Sequence, residues 1–501
     1  MTAGPRICVS LAPRSRQEVA AWSADSASVA GADMVELRLD TIQPALRPGE
    51  VAALLSRFEL PQIATCRMAA EGGAWSGTEG ERVAILRACL AAGPTYVDVE
   101  LEAAACADLL AASAQRLVVS KHWLEPAAAA DLRQCVSRLL ELRPGAAKLV
   151  MQVQRVEQAI PVLRASETLR GAGIATTGFV MGEESGAGRL LAAACGDAWT
   201  YARSPAGSAT AVGQWSTTRL RDQLAIGRWA PGFERFALIG DPVRQSLSPT
   251  IFNAAFAEAG REALYMPLPG RRFEEVLRLA EHCGIRGLSV TMPFKREALN
   301  VAASATDVAR RIGAANTLRL QDGSWRAHNT DGEGLLAALE PHVDVTGHRA
   351  AVLGAGGAAR AAVVALRDAG AHVTLYGRDA ARTAKVAADL DCSVGRLADY
   401  GPGQADIVVN STPVGMAATD ETPIPTAGLQ GEEVVLDMIY RPAVTRFLRA
   451  ARESGCVAVS GLEMFLEQAA AQHRWWFGQA PAQGIMRRAA TLQLEAEREK
   501  A

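Results

Sequence analysis

Lysine is nearly absent from this 501-residue sequence: of 52 basic residues only five are lysine, Lys121, Lys148, Lys295, Lys385 and Lys500. Where arginine serves every ordinary positive charge, a retained lysine points to work arginine cannot do, such as losing a proton or forming an imine. Histidine is scarce too, with seven in all and His122 the only one before His282. The nine cysteines are odd in number, scattered and without a C-x-x-C pair, which argues against a disulfide framework or a zinc cluster and for a reducing compartment. No apolar run approaches the roughly 18 residues of a membrane span, and the start, MTAGPRICVSLAPRSR, lacks the apolar core of a signal peptide, so a cytoplasmic protein is expected. Neither sign of charge dominates. A net charge of -2 gives no electrostatic reason to expect nucleic acid or an anionic membrane as partner. Small-molecule substrates and no metal are the expectation, and the oligomeric state is left open.

What is present suggests about three α/β domains by length, with 49% hydrophobic and 21% charged residues, ordinary for a globular protein. From Ala350 to Arg378 a short apolar run meets Gly354, Gly356 and Ala359 in a G-x-G-x-x-A spacing, followed by an amphipathic stretch and then the β-rich His372 to Tyr376. Strand, tight turn, helix and strand in that order are the context of a dinucleotide-binding loop, where a helix start offers free N–H groups to a pyrophosphate. The second strand ends at Tyr376-Gly377-Arg378, with Arg382 a turn further on, where an NAD site usually carries an acid. Two guanidinium groups suit the 2'-phosphate of NADP. The competing reading leaves both arginines as surface charge and gives the ribose hydroxyl to Asp379.

Before residue 204 lie eight β-rich runs: ICVSL, MVELRLD, QIATCR, YVDVEL, RLVVSKH, AKLVMQV, IATTGFVM and WTYAR. They alternate with helical stretches such as Glu79 to Ala92 and Ala127 to Leu142, the pattern of a (βα)8 TIM barrel. In a parallel barrel, polar side chains repeating along an inward face need a reason. Glu36, Arg38 and Asp40 share one face of the second run, Arg67 ends the third with Glu71 just after, His122 ends the fifth, and Lys148 lies in the sixth. Each admits a purely structural role, and Lys148 could simply pair with Glu36. Their convergence on one barrel mouth favours a site, and a desolvated lysine amine can attack a ketone, which suggests imine chemistry.

Leu220 to Arg228 reads as a last helix, broken by Trp229-Ala230-Pro231-Gly232, after which a new α/β pattern begins. There GDPVRQSLSP places Ser246 and Ser248 two residues apart, RGLSVTMPFK puts Thr291 and Lys295 at and just past a strand end, and AANTL and HNTDGEG contribute Asn316, Asn329 and Asp331. Lys295 and Asp331, opposite charges at element ends beside a cofactor domain, suit an acid-base pair, with a surface salt bridge as the plain alternative. Beyond the glycine loop DIVVNSTPVGM is a strand ending in a polar turn, VVLDMIY brings Tyr440 to a strand end, and a helix from near Ser460 carries Gln468.

VELRLD, TCRMAAEGG, VVSKH, AKLVMQV, GRLLA and TAVGQ, in this order over roughly residues 5 to 225, resemble the type I 3-dehydroquinate dehydratase family. The resemblance implies a Schiff base at Lys148, with His122 moving protons and Glu71 assisting it. It also implies that Glu36, Arg38, Arg67, Arg189, Thr210 and Gln214 hold hydroxyls and carboxylate. The chain departs from that family at Trp123-Leu124, where Asp or Asn and an aromatic are usual, at Gly188, where Ser commonly precedes the arginine, and at Ala211-Val212-Gly213-Gln214, where the usual form is Ala-Pro-Gly-Gln.

Residues 235 to 490 resemble shikimate dehydrogenase. That resemblance implies that Ser246 and Ser248 bind a carboxylate, that Thr291, Asn316, Tyr440 and Gln468 contact or position the ring, and that Lys295 and Asp331 serve proton transfer. Gly354, Ala355, Gly356, Gly357 and Ala358 would cradle the pyrophosphate of NADP(H), with Arg378 and Arg382 at its 2'-phosphate. The expected architecture is a TIM barrel over 1–228, a substrate domain over 233–340, a Rossmann NADP domain over 341–458 and C-terminal helices over 459–501 that return to the substrate domain. Together the halves resemble the fused plant-type enzyme of the shikimate pathway, a lyase and an oxidoreductase on one chain. Two other readings stay open: a catabolic quinate/shikimate dehydrogenase with a fused dehydratase, and a non-catalytic sensor of the same metabolites.

Overall fold

The computed structural model describes residues 4–24, 26–103, 106–182, 186–204, 213–416 and 421–498. They form two compact units, one of residues 1–236 and 243–285, the other of residues 237–242 and 286–501.

In the first unit the eight β-rich runs become strands β1 (Arg6–Leu11), β2 (Met34–Arg38), β3 (Gln62–Thr65), β4 (Tyr96–Glu100), β5 (Leu117–Trp123), β6 (Ala146–Gln152), β7 (Ala175–Met181) and β8 (Trp199–Arg203). They pair in parallel in the order β7-β6-β5-β4-β3-β2-β1-β8, and β9 (Trp215–Ser216) adds to β8. The curled sheet closes where Ala198 N–H donates to Thr176 O at 2.8 Å and Thr177 Oγ1 donates to Trp199 O at 3.0 Å. Helices cover its outside, and Val9, Val35, Val97, Val119 and Leu149 are fully buried, each contributing about 1.5–3 kcal/mol of apolar burial. The helix Glu79–Ala92 starts on a capping box, Thr78 accepting from Glu81 N–H while Glu81 accepts from Thr78 N–H.

Two expectations change. The polar alternation of the second run does not extend to Asp40, because the chain leaves β2 at Arg38 and turns through Leu39–Thr41. The helix expected over Leu220 to Arg228 is instead a π-helical turn, Arg219–Gln223, and a 3-10 turn, Ile226–Arg228. Ala225 separates them at φ 53°, a left-handed conformation that ends a regular helix.

Strand β10 (Glu234–Gly240) crosses the division between the units. In the first unit follow the helix Ser248–Glu258 and β11 (Ala263–Pro269). The Asn253 amide clamps that helix to the strand, donating to Tyr265 O and accepting from Tyr265 N–H, both at 2.8 Å. In the second unit β12 (Ile285–Val290) lies antiparallel to β14 (Thr317–Gln321), which pairs antiparallel with β15 (Ser324–His328); β13 (Ser304–Ala305) runs parallel to β15.

The same unit holds a fully parallel sheet of β16 (Arg349–Leu353), β17 (His372–Gly377), β18 (Ser393–Arg396), β19 (Ile407–Asn410), β20 (Val434–Asp437) and β21 (Val457–Ser460). Its order, β18-β17-β16-β19-β20-β21, is that of a Rossmann domain, with the direction of winding reversing between β16 and β19. The helix Gly461–Phe477 leaves that sheet and packs on the β12–β14 side, where Gln472 bonds Ser289 Oγ and Asn316 O and Trp476 Nε1 donates to Leu318 O. Among the described residues no helix is long and apolar enough to cross a membrane, and no group of three or more His, Cys, Asp or Glu is placed to hold a metal.

Candidate active sites

Parallel pairing brings polar side chains from five strands to one level of the barrel. Glu36 accepts from Ser10 Oγ at 2.9 Å, Thr65 Oγ1 at 3.1 Å, Lys148 Nζ at 2.7 Å and Tyr201 OH at 3.4 Å. Burial pushes the Glu36 carboxyl up, but Lys148, Arg38 and Arg67 outweigh it and hold it at about 2. Lys148 also lies 3.4 Å from Asp98 and 4.6 Å from the centre of the Tyr201 ring. Its surroundings are thus ionic and aromatic, and the pairing with Glu36 that the sequence left open is made.

Above this layer a cavity of about 320 Å³ is lined by Glu36, Arg38, Arg67, Glu71, His122, Lys148, Arg189 and Gln214, all candidates from the sequence. Thr210 lies outside the described residues. His122 is gripped by Glu71, which accepts its backbone N–H at 2.9 Å and faces Nδ1 at 3.3 Å. Burial, then the charges of Arg67, Lys148, Arg38 and Lys121, push the imidazole well below its ordinary 6.5, leaving a neutral base near pH 7. Arg38 is held bidentate by Asp40 at 2.9 and 2.7 Å. Arg67 is committed to Asp98 at 2.6 Å, Ser120 at 2.6 Å and Glu100 at 3.2 Å. Arg189 is 2% exposed with its guanidinium 4.7 Å from the centre of the Phe179 ring.

Asp98, Glu100 and the fully buried Arg82, which donates to Glu100 at 2.7 Å, were not among the candidates. The signal was there: in YVDVEL, Asp98 and Glu100 alternate with Val97 and Val99 as Glu36 and Arg38 do with Val35 and Leu37 in β2. The glycine at 188 has a steric cause, since a Cβ there would stand 2.6 Å from Val180 Cγ2.

A second cluster lies in the second unit. Lys295 opens the helix Lys295–Val301, and its Nζ is 2.5 Å from Asp331 Oδ2 at the start of the helix Asp331–Leu339. Asn316 Nδ2 donates to the other Asp331 oxygen at 2.8 Å, to Thr330 Oγ1 at 3.0 Å and to Gln468 Oε1 at 3.4 Å. Asn329 Oδ1 accepts from Asp331 N–H at 3.0 Å. Both charges are largely buried, at 18% and 9% side-chain exposure, so this is not a plain surface pair. Thr291 follows β12 directly, and Tyr440 lies three residues beyond β20, its ring 4.7 Å from that of Phe465.

The glycine turn adjoins this cluster. A Cβ on Gly357 would come 3.7 Å from Lys295 Cδ, which places the lysine stem beside the start of the helix Gly357–Asp368. Gly354 has φ 115° and no room for a side chain, its Cβ position lying 2.7 Å from Ser411 Oγ. With Ala355 and Gly356 it forms the turn at the reversal of winding, and Gly357 and Ala358 open the helix that follows, an arrangement that fits a dinucleotide pyrophosphate. At the tip of β17, Arg378 and Arg382 are exposed, and the Asp379 side chain accepts from Arg382 N–H at 3.0 Å. Asp379 is thereby engaged as a helix cap. In the first unit the Ser246 and Ser248 hydroxyls are 3.1 Å apart, and Ser248 N–H donates to Ser246 Oγ at 3.1 Å.

The comparisons agree with both halves. Residues 7–228 match the type I 3-dehydroquinase family, 238–318 the shikimate dehydrogenase substrate binding domain and 461–491 the shikimate 5'-dehydrogenase C-terminal domain. The chain is 30% identical over 473 residues to a bifunctional 3-dehydroquinate dehydratase/shikimate dehydrogenase, chloroplastic, of Arabidopsis thaliana, covering 89% of this chain and 78% of the relative. The chain belongs to that bifunctional family. A shikimate dehydrogenase (NADP(+)) of Caulobacter vibrioides is 41% identical over 274 residues, which span 52% of the bifunctional chain and 94% of the relative. Among solved structures, a shikimate dehydrogenase from Aquifex aeolicus aligns with a TM-score of 0.50 and 30% identity, covering 52% of this chain and 98% of that one. Another shikimate dehydrogenase, in complex with NADP+, aligns with a TM-score of 0.50 and 30% identity, covering 53% and 96%. The dehydratase and NADP-dependent dehydrogenase activities are those of the family, and the fold is α/β throughout.

Proposed function

We propose that the barrel dehydrates 3-dehydroquinate to 3-dehydroshikimate and that the dehydrogenase half reduces this product to shikimate, with the residue roles below. One observation carries the reading: a single cavity holds a primary amine, Lys148, and a neutral imidazole, His122, braced by Glu71. The Lys148 amine adds to the substrate ketone and expels water, giving an iminium that acidifies the neighbouring C–H. His122 takes that proton and returns it to the departing hydroxyl, which leaves as water. Hydrolysis of the imine then frees product and Lys148. Glu36, Arg38, Arg67, Arg189, Thr210 and Gln214 hold the substrate's hydroxyls and carboxylate.

In the reduction, Ser246 and Ser248 take the carboxylate, while Thr291, Asn316, Tyr440 and Gln468 set the ring. Lys295, coupled to Asp331, delivers a proton to the carbonyl oxygen as charge develops there. NADPH supplies the hydride when bound; Gly354, Ala355, Gly356, Gly357 and Ala358 would hold its pyrophosphate, and Arg378 and Arg382 its 2'-phosphate. The functional modules run 1–228, 233–340, 341–458 and 459–501. A cytoplasmic location belongs to the same proposal, supported by nine free thiols.

The test follows NADPH absorbance with 3-dehydroquinate or 3-dehydroshikimate as substrate. Lys148→Met should abolish oxidation of NADPH with the first and keep it with the second, and Lys295→Met should leave dehydration intact while stopping reduction. Borohydride with 3-dehydroquinate should label the wild type and not Lys148→Met. Normal dehydration by Lys148→Met would refute the imine, and faster turnover of quinate with NAD would favour the catabolic reading.

A further inference from the structure

Asp437 ends β20 fully buried. A carboxylate out of water is costly unless its oxygens are occupied. Here they are: Oδ1 accepts from Asn410 Nδ2 at 2.9 Å and from the backbone N–H of Ile439 at 3.1 Å, and Oδ2 accepts from Thr445 Oγ1 at 2.7 Å. These donors are an amide, a backbone N–H and a hydroxyl, none of them a cation. Burial pushes the carboxyl up to about 6, while the three bonds act the other way. A buried charge so placed calls for a reason, since an apolar residue would fill the space at less cost.

One partner leads to the cofactor turn. Asn410 ends β19, and its Oδ1 accepts from the N–H of Thr412 at 3.0 Å and from Thr412 Oγ1 at 2.7 Å. Ser411, between them, donates to Leu353 O at the end of β16, through its N–H at 3.0 Å and its hydroxyl at 2.6 Å. The turn after β19 is thereby pinned against Gly354, at the C-terminal ends of β16 and β19, where an open α/β sheet takes its ligand.

The other partners lead to the substrate side. Ile439 precedes Tyr440, and Thr445 caps the helix Arg446–Glu453 by accepting from Leu448 N–H at 3.2 Å, so Asp437 spans the bend that contains Tyr440. The two segments also touch. A Cβ on Gly415, at φ 100°, would stand 3.6 Å from Thr445 Cβ and 3.7 Å from Ile439 Cδ1. Gly461, at the start of the helix that holds Gln468, presses on the same bend, its Cβ position 2.5 Å from Asp437 O and 2.6 Å from Ile439 O.

We propose that Asp437 is a positioning residue of the dehydrogenase, a single buried anchor that sets the cofactor-side turn and the Tyr440 segment in one register. It acts through Asn410 and Thr445, and so ties NADP(H) binding to substrate binding. The proposal rests on the reading of this unit as an NADP-dependent dehydrogenase.

The experiment uses the full chain and measures the NADP+ Kd by calorimetry, the KM for 3-dehydroshikimate, and dehydratase kinetics as a control. Asp437→Ala should weaken NADP+ binding and raise the 3-dehydroshikimate KM by about tenfold each, the size of a lost hydrogen bond to a charged group, with the dehydratase unchanged. Asp437→Asn should restore most of both, because its Oδ1 still accepts from Asn410 and Ile439 while its amide donates to Thr445 Oγ1. Thr412→Val should raise the NADP+ Kd more than the KM, and Thr445→Val should do the reverse. Wild-type Kd and KM in Asp437→Ala would overturn the proposal. So would an Asn variant as impaired as Ala, since the residue would then supply charge and not hydrogen-bond geometry. Where Asp437→Ala does not fold, the two threonine variants decide, and absence of their crossed pattern overturns the proposal. A wild-type chain that binds no NADP+ or reduces no 3-dehydroshikimate fails the dehydrogenase reading itself.

Discussion

Glu71 and His122 are joined twice, through the backbone N–H of His122 at 2.9 Å and its ring Nδ1 at 3.3 Å, both on the same carboxylate oxygen. The carboxylate thereby fixes both the position of the strand end and the orientation of the ring. Lys121 reaches the other oxygen at 3.2 Å. Glu71→Ala should lower dehydratase kcat by roughly 10–100-fold, less than the roughly 10²–10⁴-fold expected for His122→Ala. Steady-state rates of 3-dehydroshikimate formation check this, and reduction of 3-dehydroshikimate should be unaffected.

The same histidine sets a pH dependence. Its folded pKa lies well below the ordinary 6.5, from burial first and then four neighbouring cations. The base stays neutral, so any acid limb of dehydratase kcat/KM that reports His122 should lie below pH 6.5. As pH falls, the unfolded chain binds the proton and the folded chain resists it. Folding therefore loses stability as pH falls below 6.5, by at most about 1.4 kcal/mol per pH unit from this group. Urea unfolding from pH 7.5 to 5 should show that slope reduced in His122→Ala; identical slopes would refute the assignment.

Gly334 lets two helices touch backbone to backbone in the dehydrogenase half. A Cβ there would stand 2.6 Å from Gln468 Cβ, 2.7 Å from Gln468 N and 2.8 Å from Met464 O. Main chain cannot yield as a flexible side chain does. Gly334→Ala should cost about 1–3 kcal/mol and push the helix Asp331–Leu339 away from Gln468. The KM for 3-dehydroshikimate should then rise several-fold with dehydratase kinetics unchanged. Denaturant titration and parallel assays of both activities are the check, and loss of both together would point to general misfolding.

Much of this was legible in the residues. The eight barrel strands stand out as β-rich runs because each parallel strand is apolar along its length, and polar interruptions in β2, β5 and β6 mark the site. Rarity singled out Lys148, Lys295 and His122. The G-x-G-x-x-A spacing located the turn after β16 because only certain residues tolerate that backbone.

What stayed hidden depends on neighbours across elements. Periodicity tells which residues share a face of one strand; it does not tell which residue of another strand lies opposite. Lys148 and Glu36, whose pairing the sequence offered only as one alternative, are 112 positions apart and meet only when the barrel curls. That closure surrounded the lysine with Glu36 and Asp98, and it committed Arg67 to resident carboxylates. Arg244 belongs by sequence to the serine loop, and folding seats it on Trp215 at the barrel. The amino-acid order by itself determined the chemistry available and the elements that carry it; only the tertiary structure decided which charges meet, because Coulomb attraction and burial act through space and not along the chain.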